Sequence, residues 1–120
     1  MGDISIKANV FPFRFSLKDK NSVELSLEVA NESTEPKMIT LSIVLPKQVS
    51  FNKGGTNYEF QKEYDALKAG QKIQMKIPLY LSAETEPGTF DGKVSIEEHY
   101  NEFGYVMRSY NKPLTLRVVE

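Results

Sequence analysis

Apolar and polar residues alternate with a period of two along most of this chain. In Val23–Val29 every second residue is valine or leucine, and the residues between them are glutamate or serine. The same alternation returns in residues 39–45 (ITLSIVL) and 72–81 (KIQMKIPLYL). Successive side chains of a β-strand point to opposite faces, so this pattern places one set in a core and the other in water. The sequence therefore predicts half-buried strands.

Turn-forming segments separate these runs. Residues 31–36 (NESTEP), 68–71 (KAGQ) and 84–88 (ETEPG) are rich in the residue types that favour tight turns. Short strands at this spacing indicate an all-β sandwich or barrel. Residues 58–70 (YEFQKEYDALKAG) do not alternate cleanly, and two interpretations stay open there: one or two helical turns, or an irregular loop. Pro78 falls on the outward side of its run, which indicates an edge strand or a bulge.

The N-terminal segment changes phase. Its apolar residues occupy even positions in Ile4–Val10 and odd positions in Phe11–Leu17, with Pro12 at the join. A slip of one residue reverses the buried face of a strand. We therefore expect a first strand that pairs with one sheet, kinks, and then pairs with the other.

Residues 97–111 (EEHYNEFGYVMRSYN) predict a long C-terminal hairpin. A three-residue loop at 102–104, with Gly104 left-handed, sets the register. The expected facing pairs are Tyr100 with Val106, Glu98 with Arg108, Ile96 with Tyr110, Val94 with Lys112, and Phe90 with Leu116. The apolar alternation of both strands agrees with this register, so Tyr100 and Tyr110 are interpreted as structural. An ion pair between Glu98 and Arg108 would be costly deep in a core, so we expect the hairpin to project beyond the core from about Glu98 onward.

The outer face and tip of this hairpin carry the candidate protein-contact residues. They are Phe103, Tyr105, Met107 and His99. Aromatic residues and methionine are enriched at protein interfaces. An alternative is that Tyr105 and Met107 simply pack on the sheet's outer surface. His99 lies among glutamates, but strand alternation brings only two ligands together, so we interpret it as solvent-facing and expect no metal, no cofactor and no catalytic site.

Composition narrows the classes of partner. The chain has 120 residues, a length that predicts one domain spanning 1–120, and its net charge of -1 does not favour nucleic acid. No apolar run is long enough for a membrane span, so membrane insertion is not expected. The chain has no cysteine, which leaves its redox compartment open. A cytoplasmic location is expected if the sequence is complete, and a surface or secreted one if it is a domain of a longer protein.

Three segments resemble a known group of modules. They are residues 25–46, 67–81 and 86–96, in which Asn31 and Pro36 flank a turn and Leu67-Lys68-Ala69-Gly70 leads into a strand. In this they are similar to immunoglobulin-like modules of bacterial and archaeal proteins, the cell-adhesion-related (CARDB-like) and alpha-galactosidase-associated domains. Major sperm protein and pilus-chaperone sandwiches are a looser match. The resemblance implies an immunoglobulin-like antiparallel β-sandwich, with about seven to nine strands, and transfers no active site.

Three functions follow as hypotheses. The first is a non-catalytic protein-binding or assembly module that uses the hairpin at 97–110 to contact a protein partner or a second copy. The second is a carbohydrate-binding accessory domain in which Tyr80, Tyr105 and Tyr110 stack on sugar rings. The third is a passive spacer in a larger surface protein.

Overall fold

The computed structural model describes residues 3–12, 14–18, 23–53, 56–81, 85–100 and 102–120, and its regular elements in these ranges are nine β-strands. They are β1 (Ile4–Phe11), β2 (Arg14–Ser16), β3 (Val23–Asn31), β4 (Lys37–Val44), β5 (Val49–Ser50), β6 (Glu59–Leu67), β7 (Lys72–Leu81), β8 (Gly88–Tyr100) and β9 (Glu102–Val119). The prediction of an all-β fold is confirmed. In this part of the chain there is no helix long and apolar enough to cross a membrane.

The strands form two sheets. The first has the order β1-β3-β7-β5 and the second the order β2-β9-β8-β4-β6. The pairings are antiparallel except that of β2 with β9, which is parallel. The molecule is elongated, with principal extents of 48 × 24 × 20 Å, and β9 with its 18 residues is its longest strand.

The core lies between the sheets and consists of the apolar residues that alternate along the strands. The buried set includes Val23, Leu25, Leu27, Val29, Ile39, Leu41, Ile43, Val94, Ile96, Leu114, Leu116 and Val118. Each of these strands presents every second side chain to the opposite sheet, which is the packing that a sandwich requires. The alternation predicted for 23–29 and 39–45 is thus confirmed. In β7 the inward residues are half-buried until Leu79, which is fully buried.

The first two strands confirm the predicted exchange between sheets. β1 pairs with β3 in the first sheet, and β2 pairs with β9 in the second. The chain passes from one to the other at Pro12, and Phe15 becomes fully buried. The change of face begins later than the odd-numbered pattern indicates, because Phe11 still belongs to β1 and is 77% exposed. Phe13 lies outside the described residues.

Residues 59–67 form strand β6, so the expectation of a helix or an irregular loop is wrong. Among the described strands, β6 pairs only with β4, at the edge of the second sheet. Lys62 stands opposite the buried Leu41, and its ammonium lies 5.1 Å from the centre of the Tyr64 ring. An inward-pointing charge is one way to protect an edge strand from pairing with another chain. This lysine also interrupts the apolar alternation, which is why the sequence pattern does not indicate a strand.

The prediction of an edge strand or a bulge at Pro78 is wrong: β7 lies between β3 and β5, and Pro78 is opposite Glu24 in an uninterrupted pairing with β3. The other side of β7 is, however, paired with β5 only at Tyr80 and Leu81 within the described residues.

The two turn motifs that carry the family resemblance meet in space. Asn31 is 1% exposed, and its side-chain amide donates to the carbonyls of Leu67 and Glu35 at 2.8 Å each. The backbone N–H of Gly70 donates to the Asn31 carbonyl at 2.8 Å. Gly70 has a φ of 76°, a conformation that glycine adopts without steric cost. These residues fasten the turn after β3 to the end of β6 and so have a structural role.

Candidate protein-contact surface

The lower part of the β8–β9 hairpin has the predicted register. Pairing runs without interruption from Gly88 opposite Val118 to Glu98 opposite Arg108. The facing pairs Ile96–Tyr110, Val94–Lys112 and Phe90–Leu116 are all present. Two apolar alternations on adjacent strands must agree if both bury the same face, and this requirement fixes the register. We call residues 88–98 and 108–118 the hairpin base.

Beyond Glu98 the register changes. His99, rather than Tyr100, lies opposite Val106, so Met107 is an extra residue on β9. Tyr100 lies opposite Glu102, and β9 is already a strand from Glu102 onward. The predicted loop at 102–104 and the pairing of Tyr100 with Val106 are therefore wrong. Gly104 does not have the predicted left-handed conformation, and Asn101 lies outside the described residues. An extra residue of this kind bends a strand and increases its twist.

A cluster of charged residues joins the hairpin base to the N-terminus. Glu98 is 2% exposed; its carboxylate lies 3.5 Å from the Lys37 ammonium and accepts a 3.3 Å hydrogen bond from the Tyr110 hydroxyl. Lys37 also lies 3.4 Å from Asp3, which in turn is 3.8 Å from Arg108. In place of the ion pair expected between Glu98 and Arg108, Glu98 pairs with Lys37, Arg108 pairs with Asp3, and Lys37 and Asp3 also pair with each other. Burial lowers the pKa of Lys37, but attraction to Glu98 and Asp3 outweighs burial and raises this pKa above its ordinary value of 10.5.

His99 is buried, which corrects its interpretation as a solvent-facing residue. It is 7% exposed, and both ring nitrogens have partners. Nε2 lies 2.7 Å from the hydroxyl of buried Thr40, and Nδ1 lies 3.2 Å from the Tyr105 carbonyl. A carbonyl only accepts, so Nδ1 donates to Tyr105, and in the neutral ring Nε2 accepts from Thr40. The Phe103 ring packs edge-on to the imidazole, with centroids 5.3 Å apart.

This contact determines where the end of the hairpin lies. The imidazole of His99, which is bonded to Thr40 of β4, packs against the ring of Phe103 and so holds the start of β9 in place. Phe103 is only half-exposed in consequence. The projecting part starts at Tyr100, which is 60% exposed, and not at Glu98 as expected. Tyr110 is structural, as interpreted, but Tyr100 is not.

The end of the hairpin carries a group of exposed apolar side chains. We call residues 100 and 102–107 the hairpin end. Four of the six large apolar side chains that are well exposed in the described residues lie there: Tyr100 at 60%, Tyr105 at 57%, Val106 at 45% and Met107 at 47%. The rings of Tyr100 and Tyr105 pack edge-to-face, with centroids 6.3 Å apart. The sequence pattern identified Tyr105 and Met107 but missed Tyr100 and Val106, because it did not include the changes of register beyond Glu98.

The three tyrosines suggested for carbohydrate stacking do not share a face. Tyr80 belongs to β7 of the first sheet and lies opposite Ser50, whereas Tyr105 and Tyr110 belong to β9 of the second. Tyr110 is half-buried and donates to Glu98. No group of three or more His, Cys, Asp or Glu side chains able to hold a metal ion occurs among the residues that the structure describes.

Comparisons with known proteins agree on the fold. No protein-family model matches the sequence, and no curated protein does. Among solved structures, the chain is similar to BcpA, the major pilin subunit of Bacillus cereus, with a TM-score of 0.69 and 8% identity over 96% of this chain and 40% of the pilin. It is also similar to the alkylpurine DNA glycosylase AlkC of Pseudomonas fluorescens, solved bound to DNA containing an abasic site analogue, with a TM-score of 0.53 and 16% identity over 96% of this chain and 30% of the glycosylase.

The chain therefore spans less than half the length of either protein. Identities this low show the fold alone. The likeness to the pilin confirms the prediction of an immunoglobulin-like β-sandwich, and nine strands fall within the expected number.

Proposed function

We propose that this chain is a non-catalytic assembly module, formed by one domain spanning 1–120, whose hairpin end is its protein-contact surface. The observation that carries the proposal is the grouping of Tyr100, Tyr105, Val106 and Met107 at the end of the longest hairpin. Water-exposed apolar side chains scattered over a surface are ordinary, but a contiguous group marks an interaction site. Tyrosine and methionine are also among the residues that interfaces favour.

The position of the group supports the same proposal. Below it, the hairpin is anchored by the contact of Glu98 with Lys37 and by that of His99 with Thr40. An anchored base limits the conformational entropy that the hairpin end loses when it binds. His99 is 7% exposed and thus acts as a positioning residue, while Phe103, Tyr105 and Met107 remain the candidates for direct contact.

The structural neighbours are compatible with a non-catalytic role. A pilin is a structural subunit, and its likeness in fold to this chain supports assembly rather than chemistry. The DNA glycosylase contributes little to the proposal, since a net charge of -1 gives no electrostatic attraction to a nucleic acid. We also propose that the module belongs with the cell-adhesion-related (CARDB-like) domains that the Asn31 and Gly70 turn motifs resemble.

The proposal is tested by truncating the exposed side chains. Tyr105→Ala and Met107→Ala are expected to leave the melting temperature within about 2 °C of wild type, because neither side chain belongs to the core. Both are expected to abolish self-association in sedimentation velocity, or capture of a protein partner in a pull-down. Phe103→Ala is less suitable, because it also removes the contact with His99.

Phe11→Ala is the matched control. Phe11 is the most exposed of the large apolar residues that the structure describes, at 77%, and it ends β1 opposite Glu24, away from Asp3 and the hairpin end. It is expected to change neither association nor stability. If Tyr105→Ala and Met107→Ala associate as wild type does in both assays, the hairpin end is not the contact surface.

A further inference from the structure

The outer edge of β9 is open over most of its length. Within the described part of the chain, β2 pairs with β9 only at Arg117, Val118 and Val119. Among the described residues, no strand pairs with this edge between Glu102 and Leu116. An open strand edge offers a row of unpaired N–H and C=O groups to a strand of another chain.

The other long open edges among the described residues carry features that discourage such pairing. β1, at the edge of the first sheet, has the exposed Lys7, β6 has the inward-facing Lys62, and β7 has Pro78. The lower part of β9 has Pro113, which lacks an N–H to donate. The upper part, Glu102–Arg108, has neither a proline nor a charge within it, and its only charges are at its two ends. It contains the extra residue Met107, but among the described open edges it has the longest run without a charge or a proline.

The sequence of this segment is complementary to that of a second copy running in the opposite direction. Residues 102–108 are EFGYVMR, with an acid at one end and a base at the other. If two copies pair antiparallel about a two-fold axis at Tyr105, Glu102 of each faces Arg108 of the other. The apolar Phe103 then faces Met107, and the small Gly104 faces Val106. Opposite charges on facing residues stabilise an antiparallel pair, and like charges destabilise it.

Both charged residues are accessible for this pairing. Glu102 is exposed, and the Arg108 side chain is 56% exposed while it contacts Asp3. Gly104 has no neighbouring atom within 4 Å of where a Cβ would be, so its strand leaves room for a facing side chain.

From the open edge and this charge arrangement, we propose that the chain forms a two-fold dimer by antiparallel pairing of Glu102–Arg108 with the same segment of a second copy. Such pairing would join the two five-stranded sheets into one continuous sheet. Adding a strand to an exposed sheet edge is a common mode of recognition between chains. The inference rests on the proposed function, because it names a second copy as the partner of the hairpin end. A seven-residue strand pair is small compared with a standard interface, so the dimer is expected to be weak.

The first test exchanges the charges. Arg108→Glu alone and Glu102→Arg alone each place like charges opposite one another at two positions of the dimer, and each is expected to raise the dimer Kd about tenfold. The double variant Glu102→Arg/Arg108→Glu restores opposite charges and is expected to return the Kd to within about threefold of wild type. Sedimentation velocity over a range of protein concentrations measures these constants. A double variant no better than the single variants overturns the proposed register.

The second test uses the absence of native cysteine. Tyr105 would face its own counterpart across the axis, at the Cα separation that a disulfide needs. Tyr105→Cys removes a contact side chain and so weakens reversible association, but a disulfide traps each pair that forms, so this variant is expected to accumulate a covalent dimer under mild oxidation. Ser109→Cys is the control: its two copies would be about 27 Å apart along the strands, and it is expected to stay monomeric. Equal cross-linking of the two variants contradicts the pairing.

Failure of this inference can be distinguished from failure of the proposed function. A wild-type chain that is monomeric at every concentration overturns the self-pairing. The hairpin end then remains a contact surface only if Tyr105→Ala and Met107→Ala prevent capture of a different protein. A third outcome is that Tyr105→Ala abolishes self-association but the double charge exchange does not restore it. This overturns the two-fold pairing and leaves the proposed function standing.

Discussion

The base and the end of the β8–β9 hairpin are made of the same two strands but differ in what holds them. In the base, Val94, Ile96, Leu114 and Leu116 are buried against the opposite sheet, and the register is uninterrupted. In the end, the register changes twice, and Tyr100 with its neighbours faces water. The change occurs where buried polar residues replace apolar ones. A continuous apolar face therefore maintains the strand register. Where that face stops, side chains are exposed and available for contact.

The largest expected difference between the two regions is in core packing. Ile96→Ala removes a fully buried side chain and is expected to lower the free energy of unfolding by about 2–5 kcal/mol. Val106→Ala, in the hairpin end, is expected to change it by less than about 0.5 kcal/mol. Urea denaturation measures both. Equal losses would mean that the hairpin end is packed as tightly as the base.

The charged cluster at the boundary is expected to contribute less than the core. Glu98→Ala removes a buried carboxylate and leaves Lys37 with Asp3 alone, so we expect a loss of about 2 kcal/mol by the same measurement. Glu97→Ala, one residue earlier on the opposite face, is the control and is expected to cost less than about 0.5 kcal/mol. If Glu97→Ala costs as much as Glu98→Ala, the charged cluster does not contribute specifically to stability.

The next expected effect concerns the polar contact that holds the hairpin end. Thr40→Val removes the hydroxyl that bonds to His99 and leaves a buried ring nitrogen unpaired, at a cost of about 1 kcal/mol. Thr40→Ser keeps the hydroxyl, so it is expected to retain the hydrogen bond and to affect the hairpin end less. Hydrogen exchange of the Val106 and Met107 amides should be faster in the valine variant than in the serine variant. Identical exchange in the two would show that His99 does not position the end.

The smallest effect expected is a change of stability with pH at Lys37. Because the pKa of Lys37 is raised in the folded state, its contribution is complete below the ordinary value of 10.5 and is lost as pH rises through the folded value. The difference in unfolding free energy between wild type and Lys37→Met should therefore be constant from pH 7 to pH 9 and smaller at pH 11. A difference that grows above pH 10.5 would contradict a raised pKa of Lys37 in the folded state.

Much of the framework was predictable from the sequence because it depends on local alternation. β3, β4 and the hairpin base follow a period of two, and the slip at Pro12 indicated the change of sheet. β6 was not predictable in this way, because Lys62 occupies an inward position that a simple alternation reserves for an apolar residue.

The hairpin end was only partly predictable, because its shape depends on contacts with distant parts of the chain. Glu98 and His99 are buried through Lys37 and Thr40, which are about 60 residues away in sequence. No local pattern shows that these partners exist. The aromatic composition of the segment therefore indicated where exposed apolar side chains lie, while the changes of register beyond Glu98 became visible only in the structure.

The most direct test of the account is amide hydrogen exchange measured at low and at high protein concentration. Pairing of the hairpin end with a second copy predicts that protection increases with concentration in residues 102–108, while the hairpin base and the edge strand β6 are unchanged. Protection that increases along β6 or near Phe11 instead, or that does not depend on concentration anywhere, would contradict the claim that the hairpin end is where this chain assembles.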